Sequence, residues 1–361
     1  MIVKYRIYGI LALSVTHTIC ARTPFRKPDL HVPTLHIRWM DEHPQTAYTL
    51  TNPHLEEYPF FGIFDPVFFD QHLLPQGPIS FRNHPDQSVL GTTLSNLIEE
   101  LLIEIMERKR TYKHFILLQK KDFSRRGSCG LIVLKFKEYP LILKLFLETP
   151  QSFSRPTGKG VEQMFFFYMG GGINRHLTGF TRMPNVEHIQ ERLQQSPYWR
   201  SCVDTPRKWF WLPQCARWLH ITGYGLGNKA MQEIAIPGTY AIIADAITPR
   251  RKLSLHNKED RELALDLYNF LQSAVDPHIK NYMFEESNAQ QNNAEHKNKE
   301  TLLIIDTEYF PALVGLKETV YFDSYWDWYT FLIRKCGKDM FFCTKRERRQ
   351  RQKALRPMLM N

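Results

Sequence analysis

Apolar residues recur at helical spacing over residues 92–109. Leu94, Leu97, Ile98, Leu101, Leu102, Ile105 and Met106 share one face, and Glu99, Glu100, Glu104 and Glu107 fill much of the other. That period predicts an amphipathic helix, and Lys109 and Arg110 at its end suit the helix dipole. The pattern then changes. Residues 114–119, 131–136 and 141–147 are short apolar runs that read as strands. The second and third are joined by Lys137-Glu138-Tyr139-Pro140, a tight hairpin connection. The first and second are joined by residues 120–130, which contain Ser124-Arg125-Arg126-Gly127-Ser128-Cys129-Gly130. Three antiparallel strands in series make a meander. Residues 209–212, 218–224 and 239–244 are expected to add strands to the same sheet. Further helices are predicted over 160–169, ended by Gly170-Gly171-Gly172, over 184–195 with Pro184 near the start, and over 260–280. In the last, Leu263, Leu267, Phe270, Leu271 and Ala274 share a face. Residues 287–299 are Asn/Gln-rich and apolar-poor, which predicts a loop. A helical region is expected through Tyr325-Trp326-Asp327-Trp328-Tyr329. Residues 23–88 are rich in Pro, His and aromatics without a long period, and read as an irregular extension packed on the body. There is no internal repeat.

Two places break the apolar pattern with charge. Leu302-Leu303-Ile304-Ile305 runs straight into Asp306-Thr307-Glu308. A run of that kind reads as a buried strand. Asp306 and Glu308 lie two residues apart, and so on one face where the extended geometry continues. A carboxylate at the mouth of a buried strand is costly unless a metal ion or a cation meets it; the plain alternative is a strand ending in a polar turn. The second break is Lys144, in the middle of Leu141-Ile142-Leu143-Lys144-Leu145-Phe146-Leu147. A lysine there needs a counter-charge or an anionic ligand, unless it lies on the solvent face of a half-exposed sheet.

Composition adds bounds. A chain of 361 residues can bury one large core or two smaller ones. Apolar content of 43% and charged content of 23% are ordinary for a globular protein. Aromatic content is 13%, clustered at Phe165-Phe166-Phe167-Tyr168, Trp209-Phe210-Trp211 and residues 325–329, and reads first as packing. The net charge is +10 and the pI about 9.2. Much of that is local: Lys345, Arg346, Arg348, Arg349, Arg351, Lys353 and Arg356 stand against Glu347 alone. Such a run is a solvated tail or a contact for an anionic surface; with no associated motif, nucleic acid is the less favoured partner. At the N-terminus, Lys4 and Arg6 precede a largely apolar run over residues 8–15, with Thr18, Cys20 and Ala21 as small residues for cleavage. This resembles a secretory signal and predicts export, periplasmic or secreted, or membrane association if the segment is uncleaved. The alternative is an apolar first strand. Cys20, Cys129, Cys202, Cys215, Cys336 and Cys343 show no zinc-type spacing. Bridges of Cys202 with Cys215 and of Cys336 with Cys343 are open to it, but six cysteines are too few for a disulfide scaffold.

The order of parts is a meander whose third strand carries a central lysine, a helix with an acidic residue, and a strand ending Ala241-Ile242-Ile243-Ala244-Asp245. A long helix and a strand ending in Asp follow. Over residues 112–316 this order resembles the protein-kinase-like fold in its broad sense, which includes small-molecule phosphotransferases. The resemblance implies an α+β, two-lobed architecture with an antiparallel-sheet N-lobe and a mainly helical C-lobe. It implies residues 111–247 as N-lobe and 248–343 as C-lobe; the residue patterns themselves set 1–21 apart as signal peptide, 22–110 as an irregular extension with the amphipathic helix and 344–361 as basic tail.

The same resemblance implies roles. Residues 126–130, with Gly127 and Gly130, correspond to the loop covering ATP phosphates; they hold fewer glycines than G-x-G-x-x-G. Lys144 matches the phosphate-contacting lysine. Glu162 is the candidate for its helix partner, with Glu187 and Glu191 as competitors. Residues 241–247, including Ala244, correspond to the hinge that bonds adenine. Asp306 matches the metal-binding aspartate, with Glu308 assisting at the metal. The family's catalytic loop of H-R-D or H-G-D type, followed by Asn, belongs some fifteen to twenty residues before that aspartate. That window holds Glu285-Glu286-Ser287-Asn288-Ala289-Gln290 and no Asp. Asp276, in Asp276-Pro277-His278 further upstream, serves as catalytic base only if the loop is long; otherwise it is a helix-end residue. The implied cofactors are ATP and Mg²⁺, and the implied partners a nucleotide and an unknown protein or small-molecule acceptor. The competing expectation is a catalytically inactive pseudokinase that binds a protein or a surface.

Overall fold

The computed structural model describes residues 35–40, 48–49, 62–64, 66–122, 130–147, 179–223, 232–285, 300–311 and 319–341. The chain divides into residues 1–31 and residues 32–361, and every described residue belongs to the second unit. Expectations for the N-terminal segment, Gly127, Glu162, the helix over 160–169, the loop over 287–299 and the basic tail lie outside the described residues.

The described elements begin with strands β1 (Leu35–Met40), β2 (Tyr48–Thr49) and β3 (Gly62–Phe64), then helix α1 (Pro66–Gln71) and strands β4 (Pro78–Phe81) and β5 (His84–Leu90). Helix α2 (Gly91–Met106) leads to the meander β6 (Phe115–Asp122), β7 (Gly130–Phe136) and β8 (Leu141–Leu147). Next come α3 (Pro184–Gln194), α4 (Pro197–Cys202), β9 (Val203–Asp204), β10 (Lys208–Trp211), β11 (Trp218–Gly223), β12 (Gln232–Pro237), β13 (Thr239–Asp245) and β14 (Pro249–Lys252). The chain continues with α5 (Lys258–Phe270), a 3₁₀ turn (Ile279–Asn281), β15 (Tyr282–Glu285), β16 (Thr301–Ile304) and α6 (Tyr325–Phe341). The fold is mixed α+β, and its sheets are built almost wholly from antiparallel pairs.

The centre is a five-stranded antiparallel sheet of order β10-β13-β8-β7-β6. The expected meander forms, with Gly130↔Leu147 and Val133↔Lys144 across β7 and β8. Strand β13 then adds to the free side of β8, with Ile242↔Lys144, and β10 adds outside it, with Lys208↔Ala244. Side chains alternate between the faces of a strand, and the sheet uses this strictly. Ile132, Leu134, Leu143, Leu145, Trp211, Ala241 and Ile243 share one apolar cluster with Leu94, Ile98 and Leu101 of α2. Those three helix residues are fully buried; burying side chains of this size stabilises by about 1.5–3 kcal/mol each. Leu131, Phe146, Phe210, Tyr240 and Ile242 face the other way, into a cluster with Leu265, Leu267, Tyr268, Leu302, Ile304 and Trp328.

Three expectations change. Residues 218–224 do not join the central sheet: β11 lies between β1 and β12 in a sheet of its own. The described part of residues 23–88 also has regular structure: β1 matches β11 from Leu35↔Gly223 to Met40↔Trp218, and β4 and β5 form a hairpin. Weak periodicity in short strands hid both. Helix α5 begins as expected, capped by the Asn257 side chain, which accepts from the Glu259 N–H. It ends at Phe270, not 280. Gln272 and Ser273 take positive φ of 51° and 67° there, a left-handed exit that no residue type announced. Beyond α5 the chain forms strands β15 and β16, which join β14 and β9, both from ahead of that helix, in a four-stranded sheet. No disulfide joins Cys202 to Cys215; the Cys202 thiol donates to the Tyr198 carbonyl at 3.2 Å.

Candidate functional site

Strand β16 delivers Asp306, Thr307 and Glu308 past the lower face of the central sheet, into a cluster of basic residues. The Lys144 ammonium lies 3.2 Å from Asp306 Oδ1. Arg182, just ahead of α3, donates from Nε to the same oxygen at 2.9 Å and from Nη2 to Glu308 Oε2 at 2.6 Å. Lys208 donates to the Thr307 hydroxyl at 2.7 Å, and that hydroxyl donates to the Arg182 carbonyl at 2.7 Å. The register explains why two lysines meet here. Lys144 pairs with Ile242 and Lys208 with Ala244, two residues further along β13, so all four side chains project from one face.

The segment is clamped from three sides. Asn185, fully buried in the first turn of α3, donates to the carbonyls of Ala274 and Thr307 at 2.8 and 2.9 Å. The Tyr309 N–H donates to Thr181 Oγ1, and the Phe310 N–H to the Ala274 carbonyl. The Ile305 N–H donates to the Asn281 carbonyl at 2.9 Å, which sets the 3₁₀ turn beside Asp306. Asp276 begins this loop. Its carboxylate accepts from the His278 N–H at 3.0 Å, and its carbonyl accepts from Asn281 Nδ2 at 3.3 Å and from the Tyr282 hydroxyl at 3.0 Å.

The cluster grades from open to buried. The Asp306 side chain is 28% exposed and that of Lys144 16%, while Arg182 is 1% and Glu308 5%. Burial lowers the Lys144 ammonium below its ordinary value, Asp306 opposes that, and Arg182 adds to it. Lys208 is driven well down, by burial first and then by Lys144. Burial also works against the Arg182 charge, but Asp306 and Glu308 overcome it and hold the guanidinium above its ordinary value. Burial, together with the fields of Asp306 and Glu308, pushes Asp276 from 3.8 up to about 7, against the opposing bonds from His278 and Asn281. A carboxyl near neutrality can take up and release a proton at working pH.

The structure thus brings Lys144 and Asp306 together, with Glu308 behind them and Asp276 close enough to feel both acids. Gly130 opens β7, opposite Asp122 and Leu147. Ala244 lies on the lysine face beside them. Residues 241–245 are strand, paired on both sides to β10 and β8, so their main chain is already engaged. The Ala246 N–H is engaged too, by the Pro140 carbonyl. Glu162, the first candidate for the helix partner, lies outside the described residues; among those described, Asp306 meets Lys144, and the competitor Glu187 of α3 pairs with His72 at 3.4 Å.

Arg182, Lys208, Thr307 and Asn185 were missed from the sequence. Arg182 carries no local signal, since Thr181-Arg182-Met183 reads as an ordinary helix lead-in. Lys208 had one: it stands two residues from Phe210 in the strand, and hence on the same face as that inward aromatic.

Mg²⁺ takes oxygen ligands and is commonly held by one or two carboxylates plus substrate phosphates. Among the described residues no three His, Cys, Asp or Glu side chains form a metal-holding group. The described residues therefore offer no all-protein cage. The partly exposed Asp306, with Asn281 hydrogen-bonded to its neighbour, fits a cation that brings phosphate oxygens with it. Glu308 is buried against Arg182, which turns it from metal ligand towards structural counter-charge. A cleft of about 320 Å³ between the start of α2 and β10 is lined by neither Lys144, Asp276 nor Asp306. No known protein family matches the chain, and no curated protein and no solved structure matches it either.

Proposed function

We propose that this chain is a kinase-like phosphotransferase that binds a nucleotide and Mg²⁺ between the central sheet and the segment after β16. The observation that carries this reading is the 3.2 Å approach of Lys144, from the third strand of a meander, to Asp306, at the end of a strand far along the chain. Two further features support it. Asp276 and Asn281 stand in the D-x-x-x-x-N spacing of a kinase catalytic loop. They lie between a helix and the β15–β16 pair, as such a loop would. Arg182 Nη1 is buried and has no acceptor among the described residues, and an oxyanion is the ligand that would satisfy such a donor. A two-lobed arrangement of sheet and helices belongs to the same proposal.

In this reading Lys144 orients the phosphates, and Asp306 with Asn281 holds the cation. The cation supplies neutralisation of charge on the transferring group. Asp276 accepts the proton of an acceptor hydroxyl. Arg182 and Lys208 fix the acidic segment so that Asp306 needs no reordering.

One observation favours a catalytically inactive relative. Arg182 takes both Asp306 and Glu308, and a cation must compete with that guanidinium for Asp306. Thermal shift with MgATP decides between the two. A ligand of the native state raises the melting temperature by mass action. A shift is expected in the parent and not in Lys144→Met or Asp306→Asn. No shift in the parent, or equal shifts in all three, removes the nucleotide reading. A shift without phosphate transfer leaves the inactive binding protein.

A further inference from the structure

We propose that the exposed face of α6 is a docking surface for an anionic phospholipid bilayer. The helix divides its aromatics between two faces. Tyr325 and Trp328 are 3% and 0% exposed and pack into the lower core. Trp326, Tyr329 and Ile333 are 49%, 38% and 55% exposed. Spacings of three and four residues place these last three on one stripe of the helix. Nothing in the core explains the stripe, since the helix is already anchored by its other face.

Two observations identify the occupant as lipid. The first is the residue types. Tryptophan and tyrosine present an apolar body and a polar edge, which suits the depth of lipid headgroups, and isoleucine suits the acyl boundary below. Arg261 lies over the Trp326 ring at 5.3 Å, so a cation stands beside the aromatic that would enter the headgroup layer. The second is charge. From Arg334 to the end of the chain there are ten Lys and Arg residues, against Asp339 and Glu347. A helix with an apolar stripe running into a strongly basic stretch is the pattern of an interfacial segment on anionic lipid. Asp323 and Asp327 precede or share its first turn, at the end away from that basic stretch; Asp327 accepts from the Ser324 hydroxyl at 2.6 Å. This surface is separate from the Lys144–Asp306 cluster and stands or falls without it.

The test is flotation of the full chain with vesicles of phosphatidylcholine alone and of phosphatidylcholine with phosphatidylserine, at low and high salt. The parent should float with the serine lipid, weakly with the neutral one, and less at high salt. Trp326→Ser/Tyr329→Ser/Ile333→Ser should weaken binding about tenfold or more. Trp326 and Tyr329 also pack on Tyr325, Trp328 and Arg261, so flotation of the variant is compared with the parent at a temperature where circular dichroism shows both folded. Arg334→Glu/Lys335→Glu/Lys338→Glu should abolish the preference for serine lipid. Three results overturn the proposal: a parent that does not float with serine lipid; a stripe variant that floats like the parent, which would place binding in another segment; or lipid-free light scattering that shows a dimer lost in the stripe variant, which would make the stripe a protein interface.

Discussion

The two faces of the central sheet come from the same strands and do different things. The upper face, under α2, is apolar at every described core position, from Ile132 through Leu143 to Ile243. The lower face carries Lys144 and Lys208 between Val133, Phe146 and Ile242, and it meets Asp306 and Thr307. One residue of register separates the two environments. The upper face contributes burial and tolerates only shape changes. The lower face holds charges that desolvation penalises and that each need a partner, which is the condition under which side-chain chemistry becomes available.

The sharpest way to break the contrast is Arg182→Met. It leaves Glu308 buried without its cation and takes one of the two cations from Asp306, and a loss of about 3–5 kcal/mol is expected in denaturant unfolding. Adding Glu308→Gln should recover part of it, so the double variant lies above the sum of the singles. On the other face, Leu143→Ala should cost about 2–5 kcal/mol by transfer and cavity terms. It should leave the MgATP shift, read against the variant's own lowered melting temperature, intact. If Leu143→Ala removes the shift as Lys144→Met does, the faces are not functionally distinct.

Asp276→Asn comes next, and its signature is pH dependence. The folded carboxyl titrates near 7 against an ordinary 3.8. The folded state therefore holds a proton that the unfolded state has released. Its contribution is full below pH 3.8 and is lost as pH rises to about 7. The parent should lose stability across that window, by a few kcal/mol on the scale of about 1.4 per pH unit. The asparagine variant should be flatter there and relatively more stable at pH 8, while phosphate transfer is lost. A parent whose urea midpoint does not move in this window would refute the buried, proton-holding state of Asp276. The smallest effect is expected from Lys208→Met. Folding drives this amine's affinity for protons down, so the unfolded state binds more protons and parent stability rises as pH approaches the ordinary lysine range. The methionine variant should lack that rise, at the loss of about 1 kcal/mol for the bond to Thr307.

Much of the scaffold was legible because it is periodic. The helix of Leu94, Ile98 and Leu101, the meander and the strand before Asp306 were all found from local pattern, to within a few residues. The strand Leu35–Met40 was not, since its partner Trp218–Gly223 is distant and its own period is weak. Of the cluster, Lys144 and Asp306 were visible as charges in apolar runs. Asp276 was visible as an acid beside Pro277 at the end of the helix expected over 260–280; its place next to the cluster was not, because 29 residues of chain lie between it and Asp306.

The sequence by itself determined the strongly periodic helices and strands and which charges were out of place, because periodicity and burial cost are properties of neighbours in the chain. Only the tertiary structure decided what met those charges. Arg182 and Asp306 are 124 positions apart, and Lys208 and Thr307 are 99 apart. Nothing local marks such a pair: a buried charge must find a counter-charge, but any basic residue in the chain satisfies that requirement until the sheet register and the turn of the backbone select one.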